Sequence, residues 1–136
     1  MRVNNKIVFF FTSIAIIVCV FFKLLTIDSL SYKRDNWFYD RFFSMEVIRE
    51  VPLISQNYVI TYSAHDGNKP ETNTLFFTGA SDRSELENYL IVKRFVPEVI
   101  DANTVRWHSP DYSEYDVYLS VYPDKEEIIM AAISLD

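Results

Sequence analysis

The sequence predicts an α+β protein in which one N-terminal transmembrane helix precedes a single small domain with an antiparallel sheet. Three observations lead to this prediction: one purely apolar stretch near the start, strand-like alternation in the second half, and helical spacing in two further segments. Consecutive strands with short links form antiparallel sheets, so we expect about five strands covered by two helices.

Length and composition suit one anchored domain. The chain has 136 residues, of which 49% are hydrophobic and 16% aromatic. This content is typical of folded chains and not of disordered ones. We therefore assign residues 1–30 to a short N-tail and an anchor, and residues 31–136 to one folded domain.

Residues 7–25 are the predicted transmembrane span. Only Thr12 and Ser13 interrupt its apolar run, and a helix can bond both hydroxyls to its own carbonyl groups. With Lys23 snorkelling, 19 residues would span about 28 Å, close to the thickness of the hydrocarbon layer. A cleaved signal peptide is an open alternative, although bulky residues occupy the place of a cleavage site. A lipoprotein would use Cys19, but Val18 stands where a small residue is expected.

Basic residues lie on both sides of this span, so the very short N-tail and the signal-like layout decide its expected orientation. Arg2 and Lys6 precede it with no acid between them, which favours a cytoplasmic N-terminus. We expect a single-pass signal-anchor protein of the cytoplasmic (inner) membrane, with its C-terminal domain outside the cytoplasm, in the periplasm. Cys19 is the only cysteine, so the domain can form no internal disulfide.

Residues 33–50 predict an amphipathic helix that ends before Pro52. Phe38, Phe42 and Met45 recur at helical spacing and form its apolar stripe. We favour packing of this stripe on the sheet. The alternative is an aromatic collar on the membrane surface, which a non-basic polar face supports less well.

Alternating β-branched and aromatic residues predict the strands. The predicted strands are residues 57–63, 74–78, 104–108, 116–122 and 128–135. Turn residues at 65–70 predict a hairpin between the first two strands. A helix before Pro97 carries the stripe Leu86, Leu90, Ile91 and Phe95, and Ser84 with Glu87 fits a capping box at its start.

The charge of the domain is strongly acidic. Formal net charge is −6 for the chain, and residues 31–136 hold 10 Lys/Arg against 18 Asp/Glu. The last 39 residues hold two basic side chains against nine acidic ones, including Asp136. Such a field repels nucleic acid and attracts basic partners, so we expect no nucleic-acid binding.

Sequence motifs for catalysis are lacking. His65, Asp66, His108 and Asp111 could converge, but their spacing matches no metal motif, and surface loop histidines are the simpler interpretation. Two glycines do not make a phosphate-cradling loop, and no serine lies in a Gly-x-Ser-x-Gly elbow. We expect a non-enzymatic protein with no cofactor and no bound metal.

Residues 107–118 combine large aromatic side chains with acids, a composition that favours binding of a basic partner. The predicted interface residues are Trp107, Asp111, Tyr112, Glu114, Tyr115, Asp116 and Tyr118. The alternative is that the tyrosines pack inward while the acids keep a loop soluble.

Three functional hypotheses follow. The first is a membrane-anchored domain that binds a basic protein, for example an immunity-type inhibitor of a basic toxin that attacks the envelope. The second is an accessory or structural subunit of an envelope assembly, which contacts its partners through the transmembrane and juxtamembrane helices. The third is a small ligand-binding or hydrolase domain with a pocket between helix and sheet.

Overall fold

The computed structural model describes residues 5–135, so Arg2 and Asp136 lie outside the described residues. The helices are α1 (Asn5–Leu25), α2 (Trp37–Phe43), α3 (Glu46–Arg49) and α4 (Ser84–Val92). The strands are β1 (Ser29–Tyr32), β2 (Tyr58–Ser63), β3 (Thr72–Thr78), β4 (Val96–Val99), β5 (Thr104–His108), β6 (Tyr115–Tyr122) and β7 (Glu127–Ser134).

The strands form one antiparallel sheet with the order β1-β2-β3-β7-β6-β5-β4. Strands β1 to β3 form one meander and β4 to β7 form another, and β7 pairs with β3 to join them. Helix α4 carries the chain from β3 to the far edge of the sheet. The predicted α+β class and antiparallel sheet are confirmed, whereas the strand number is seven and not about five.

The core lies between the helices and one face of the sheet. Leu75, Met130 and Leu119 are paired across three neighbouring strands and are fully buried. The next residue of each strand points to the other face, because side chains alternate along a strand. The helical residues that cover the core are Val47, Ile48, Leu86 and Leu90. Tyr39 and Phe43 of α2 pack against the same core, so three helices, and not the predicted two, supply the covering layer.

The predicted helix over residues 33–50 is wrong in extent. The chain instead forms α2, breaks at Ser44 and Met45, and continues as α3. Met45 is extended (φ −61°, ψ 148°), and its N–H donates to the side chain of Asn73 at 2.8 Å. The Ser44 hydroxyl contacts Tyr32 at 2.6 Å and Asp40 at 3.0 Å. Contacts to distant residues thus replace the hydrogen bonds of a continuous helix.

The two strands at the edges of the sheet were not predicted. Strand β1 begins at Ser29, two residues before the predicted start of the domain. Strand β4 contains Pro97, which we expected only to end a helix. A proline fits an edge strand because its missing N–H leaves no gap in the pairing there. All four residues of β4 are exposed.

The start of α4 differs from the predicted capping box. Ser84 is the first helical residue, and its N–H donates to the Asp82 carboxylate at 2.9 Å. Glu87 pairs with Arg83 at 2.8 Å instead of reaching back to the backbone of Ser84. The helix ends at Val92, and Arg94 takes a left-handed conformation (φ 66°) that returns Phe95 to the core.

Helix α1 is long and apolar enough to cross a membrane. An 18-residue window of its 21 residues has a mean hydropathy of 2.6, and none of its side chains is buried against the domain. The hydroxyls of Thr12 and Ser13 donate to the carbonyls of Val8 and Phe9, at 2.8 and 2.9 Å, as predicted. These observations are consistent with a single-pass membrane protein.

Candidate functional site

The predicted interface segment is divided among three environments by the alternation of β5 and β6. Trp107 and Tyr115 point toward the helices and are only 2% and 5% exposed. Both belong to the hydrophobic core. Trp107 therefore has almost no surface to offer a partner, and Tyr115 has only a small exposed part.

Asp116 and Tyr118 lie on the opposite face of the sheet. Asp116 is 2% exposed and accepts a 2.7 Å hydrogen bond from Nε of Arg106 on β5. This bond raises the pKa of the Arg106 guanidinium, which also lies 3.3 Å from Glu98. The Asp116 carboxylate is therefore engaged in a cross-strand ion pair within the domain.

Asp111, Tyr112 and Glu114 remain on the helix side of the sheet. The Tyr112 ring stacks on Phe95, with centroids 5.4 Å apart and an angle of 15° between the planes. Its hydroxyl donates to Glu46 at 3.1 Å, which fixes the ring over α3. Asp111 is exposed and pairs with Arg94 at 3.2 Å. Three of the seven predicted residues thus share one part of the surface.

This surface borders a cleft of about 290 Å³. Its lining residues are Met45, Glu46, Glu71, Glu114, Tyr115 and Ser134. The three glutamates come from α3, from the residue before β3 and from the residue before β6. The end of β7 brings the last two together, because Ser134 N–H donates to the Glu71 carbonyl at 2.9 Å and Leu135 N–H donates to the Glu114 carbonyl at 3.0 Å.

One lysine partly neutralises the cleft. Lys93 lies 3.4 Å from Glu46 and also contacts Glu50. The hydrogen bond to Glu50 raises the pKa of Lys93 and lowers that of Glu50. Among residues 5–135, neither Glu71 nor Glu114 has a basic side chain within 4.0 Å. The cleft therefore carries unbalanced negative charge.

Two tyrosines adjoin these unpaired carboxylates. Burial, followed by a hydrogen bond to Glu71, raises the pKa of Tyr62 to about 12. Burial, followed by the charge of Glu114, raises the pKa of Tyr115. The Tyr115 hydroxyl is buried beside the Val47 backbone and has no hydrogen bond of good geometry within the described chain. The hydroxyl therefore lies beneath the cleft wall and is not open to the cleft.

The two histidines are not part of this cleft. His65 lies in the loop between β2 and β3, His108 ends β5, and both side chains are exposed. Over residues 5–135, no group of three His, Cys, Asp or Glu side chains is arranged to hold a metal ion. The cleft is built mainly from three carboxylates, with Tyr115 as its aromatic residue.

Glu46 and Glu71 were not predicted as site residues. Glu46 lies in a segment predicted as a continuous helix, and Glu71 lies in a loop-like stretch 25 residues later. Local sequence pattern carries no signal that joins them, since β7 must first pair with β3 to bring Glu71 near Glu114. The acidity of the C-terminal part was the sequence feature that indicated a negatively charged surface.

No protein-family model, curated protein or solved structure matches the chain. The fold and the site together define an α+β domain with an acidic cleft. This domain follows a helix long enough to span a bilayer.

Proposed function

We propose that the protein is a membrane-tethered binding domain that captures a basic protein outside the cytoplasm through the acidic cleft. An immunity-type inhibitor, which holds a basic toxin before it damages the envelope, is one concrete form of this function. The observation that carries the proposal is the convergence of Glu46, Glu71 and Glu114, with Lys93 as their one basic neighbour among residues 5–135.

The cleft suits a lysine or arginine side chain from a partner. A cation that enters it would approach Glu71 and Glu114, whose carboxylates have no basic partner within the domain. Charged hydrogen bonds of this kind are about twice as strong as neutral ones.

The rim supplies the second component of a binding surface. Tyr112 is half-buried and rigidly stacked on Phe95, so it offers contact area at little cost in side-chain entropy. The net charge of the domain speeds capture of a basic partner at low ionic strength. The proposed interface is thus narrower than the predicted one and comprises Glu46, Glu71, Asp111, Tyr112 and Glu114.

Capture by the full-length protein in mild detergent tests this function. The double variant Glu71→Gln, Glu114→Gln should retain at least about tenfold less of a basic envelope protein than the wild type, because each lost charged hydrogen bond costs about 1–3 kcal/mol. Rising salt should weaken the wild-type complex.

A matched control variant distinguishes an effect of the cleft carboxylates from an effect of the net charge of the domain. Asp124→Asn with Glu126→Gln also removes two acids, at the β6–β7 turn about 23 Å along the strands from the cleft. This control should bind like the wild type. Equal loss in both double variants would show that net charge alone attracts the partner, and the proposed site would be wrong.

Replacement of α1 by an unrelated transmembrane helix separates this function from that of an accessory subunit. A domain that binds through its cleft keeps its activity after the exchange. A subunit that assembles through α1 loses its partners.

A further inference from the structure

Helix α2 presents two aromatic faces, and only one of them belongs to the core. Tyr39 and Phe43 point inward, with ring centroids 6.1 Å from Tyr32 and 5.2 Å from Tyr62, respectively. The outward residues of α2 are Trp37, Phe38 and Phe42, which we call the α2 aromatic face.

The α2 aromatic face is open to solvent in the isolated chain. Trp37 is 71% exposed and Phe42 is 65% exposed. Phe38 lies between them, with centroids 5.9 Å from Trp37 and 4.8 Å from Phe42. Three adjoining rings form a continuous apolar surface, and such surfaces on a small domain mark contact with a partner or a membrane.

Position relative to α1 identifies the occupant. Tyr39 of α2 lines one cleft together with Cys19, Val20, Lys23, Leu24 and Ile27. Helix α2 therefore lies beside the last turns of α1. If α1 spans a bilayer, these turns lie at the outer boundary of the hydrocarbon layer, where Lys23 reaches the headgroups. The α2 aromatic face thus lies near the end of α1 at which the helix would leave the hydrocarbon layer.

The chemistry of this face suits lipid headgroups. Tryptophan is enriched at membrane interfaces, where its ring is buried and its indole N–H can still reach water. The exposed charges nearby are of both signs, with Lys23, Lys33 and Arg41 against Asp28 and Asp35. This balance favours a zwitterionic bilayer and gives no reason for a requirement for anionic lipid.

We propose that α2 lies in the headgroup layer, with the rings of Trp37, Phe38 and Phe42 inserted among zwitterionic lipids. This second contact holds the domain against the membrane instead of leaving it on a free tether. The inference rests on α1 crossing the bilayer but not on the partner of the acidic cleft.

Fluorescence of the full-length chain in zwitterionic vesicles tests this arrangement. The emission of Trp37 is the difference between the wild type and Trp37→Phe, an exposed change that leaves the core intact. Lipids brominated near the top of the acyl chain should reduce this emission about twofold, as expected for an indole at headgroup depth. Added anionic lipid should leave the result unchanged.

A displaced tryptophan provides the control. Val99 is 76% exposed on β4, the edge strand farthest from β1, about 29 Å across the sheet. In the Trp37→Phe background, Val99→Trp should be quenched by the neutral aqueous quencher acrylamide and not by brominated lipid. Trp107, which is 2% exposed, should respond weakly to both quenchers.

Three results would overturn the proposal. If the chain floats with the vesicles but acrylamide quenches Trp37 as strongly as Val99→Trp, then α1 is inserted and α2 is not. If neither quencher reaches Trp37, a second copy of the chain covers the α2 aromatic face. If the chain does not float with the vesicles, α1 is not a membrane span, and the proposed contact of α2 with the headgroup layer is wrong as well.

Discussion

The side chain of Asn73 accepts a 2.8 Å hydrogen bond from the backbone N–H of Met45. Asn73 is fully buried on β3, and its amide donates to the Thr61 carbonyl at 3.0 Å and to the Tyr32 hydroxyl at 3.3 Å. One side chain thereby ties the break between α2 and α3 to the centre of the sheet. Because Glu46 follows Met45 directly, this bond also positions one wall of the acidic cleft.

Replacement of Asn73 by leucine should destabilise the domain by about 2–3 kcal/mol, because the Met45 N–H and the Tyr32 hydroxyl lose a buried partner. Urea unfolding in mild detergent, followed by Trp107 fluorescence, measures this change. The neighbouring variant Thr74→Val, on the other face of β3, should change stability by less than about 0.5 kcal/mol. Equal effects of the two variants would contradict the role of Asn73.

The two ion pairs of residues 111 and 116 should differ in their contribution to stability. Asp116→Asn removes the negative charge of a buried hydrogen-bond acceptor and should cost about 1–2 kcal/mol, a value reduced because Arg106 is partly exposed. Asp111→Asn breaks the exposed pair with Arg94 and should cost less than about 0.5 kcal/mol.

The same unfolding assay compares these two variants. A result in which Asp111→Asn is the more destabilising would contradict the assignment of Asp116 to the interior. It would also restore Asp116 as a candidate contact for a partner.

Stability should fall at alkaline pH. Burial raises the pKa of both Tyr62 and Tyr89 to about 12, above the value of 10.0 for a free tyrosine. An unfolded chain therefore releases these protons first, so the stability that the neutral phenols provide is complete below pH 10 and is lost as pH rises toward 12. The raised pKa of Lys93 acts in the same direction.

Unfolding free energies measured across this pH range check the expectation. Tyr89→Phe should show a shallower decline, although it also loses the 2.9 Å hydrogen bond to the Val47 carbonyl. The same slope for Tyr89→Phe and the wild type would exclude a contribution from Tyr89.

Local pattern predicted the strands of the hairpins closely, because period-two alternation is a property of each segment alone. Strand β5 has the predicted bounds, and β6 and β7 begin within one residue of them. The break after α2 was not predictable, since it depends on Asn73, a residue 28 positions away from Met45. The composition of the segment around Trp107 is a local property and was recognised as unusual. The inward direction of the Trp107 side chain depends on distant strands and helices, so it was not predicted.

Sidedness of the membrane can be measured with single cysteines. In a Cys19→Ser background, Asp124→Cys places a thiol in the exposed β6–β7 turn, and Asn5→Cys places one at the start of α1. An impermeant maleimide added to intact spheroplasts should label Asp124→Cys at once. It should label Asn5→Cys only after lysis. The reverse pattern would place the domain in the cytoplasm.

Photo-crosslinking in cells tests the acidic cleft most directly. Benzoylphenylalanine replacing Ser113, an exposed residue next to Glu114, should form an adduct with a basic protein. The same group replacing Lys125 at the opposite end of β6 should not. Glu71→Gln with Glu114→Gln should abolish the adduct at Ser113. An adduct that survives this double substitution, or that forms equally from position 125, would contradict the account.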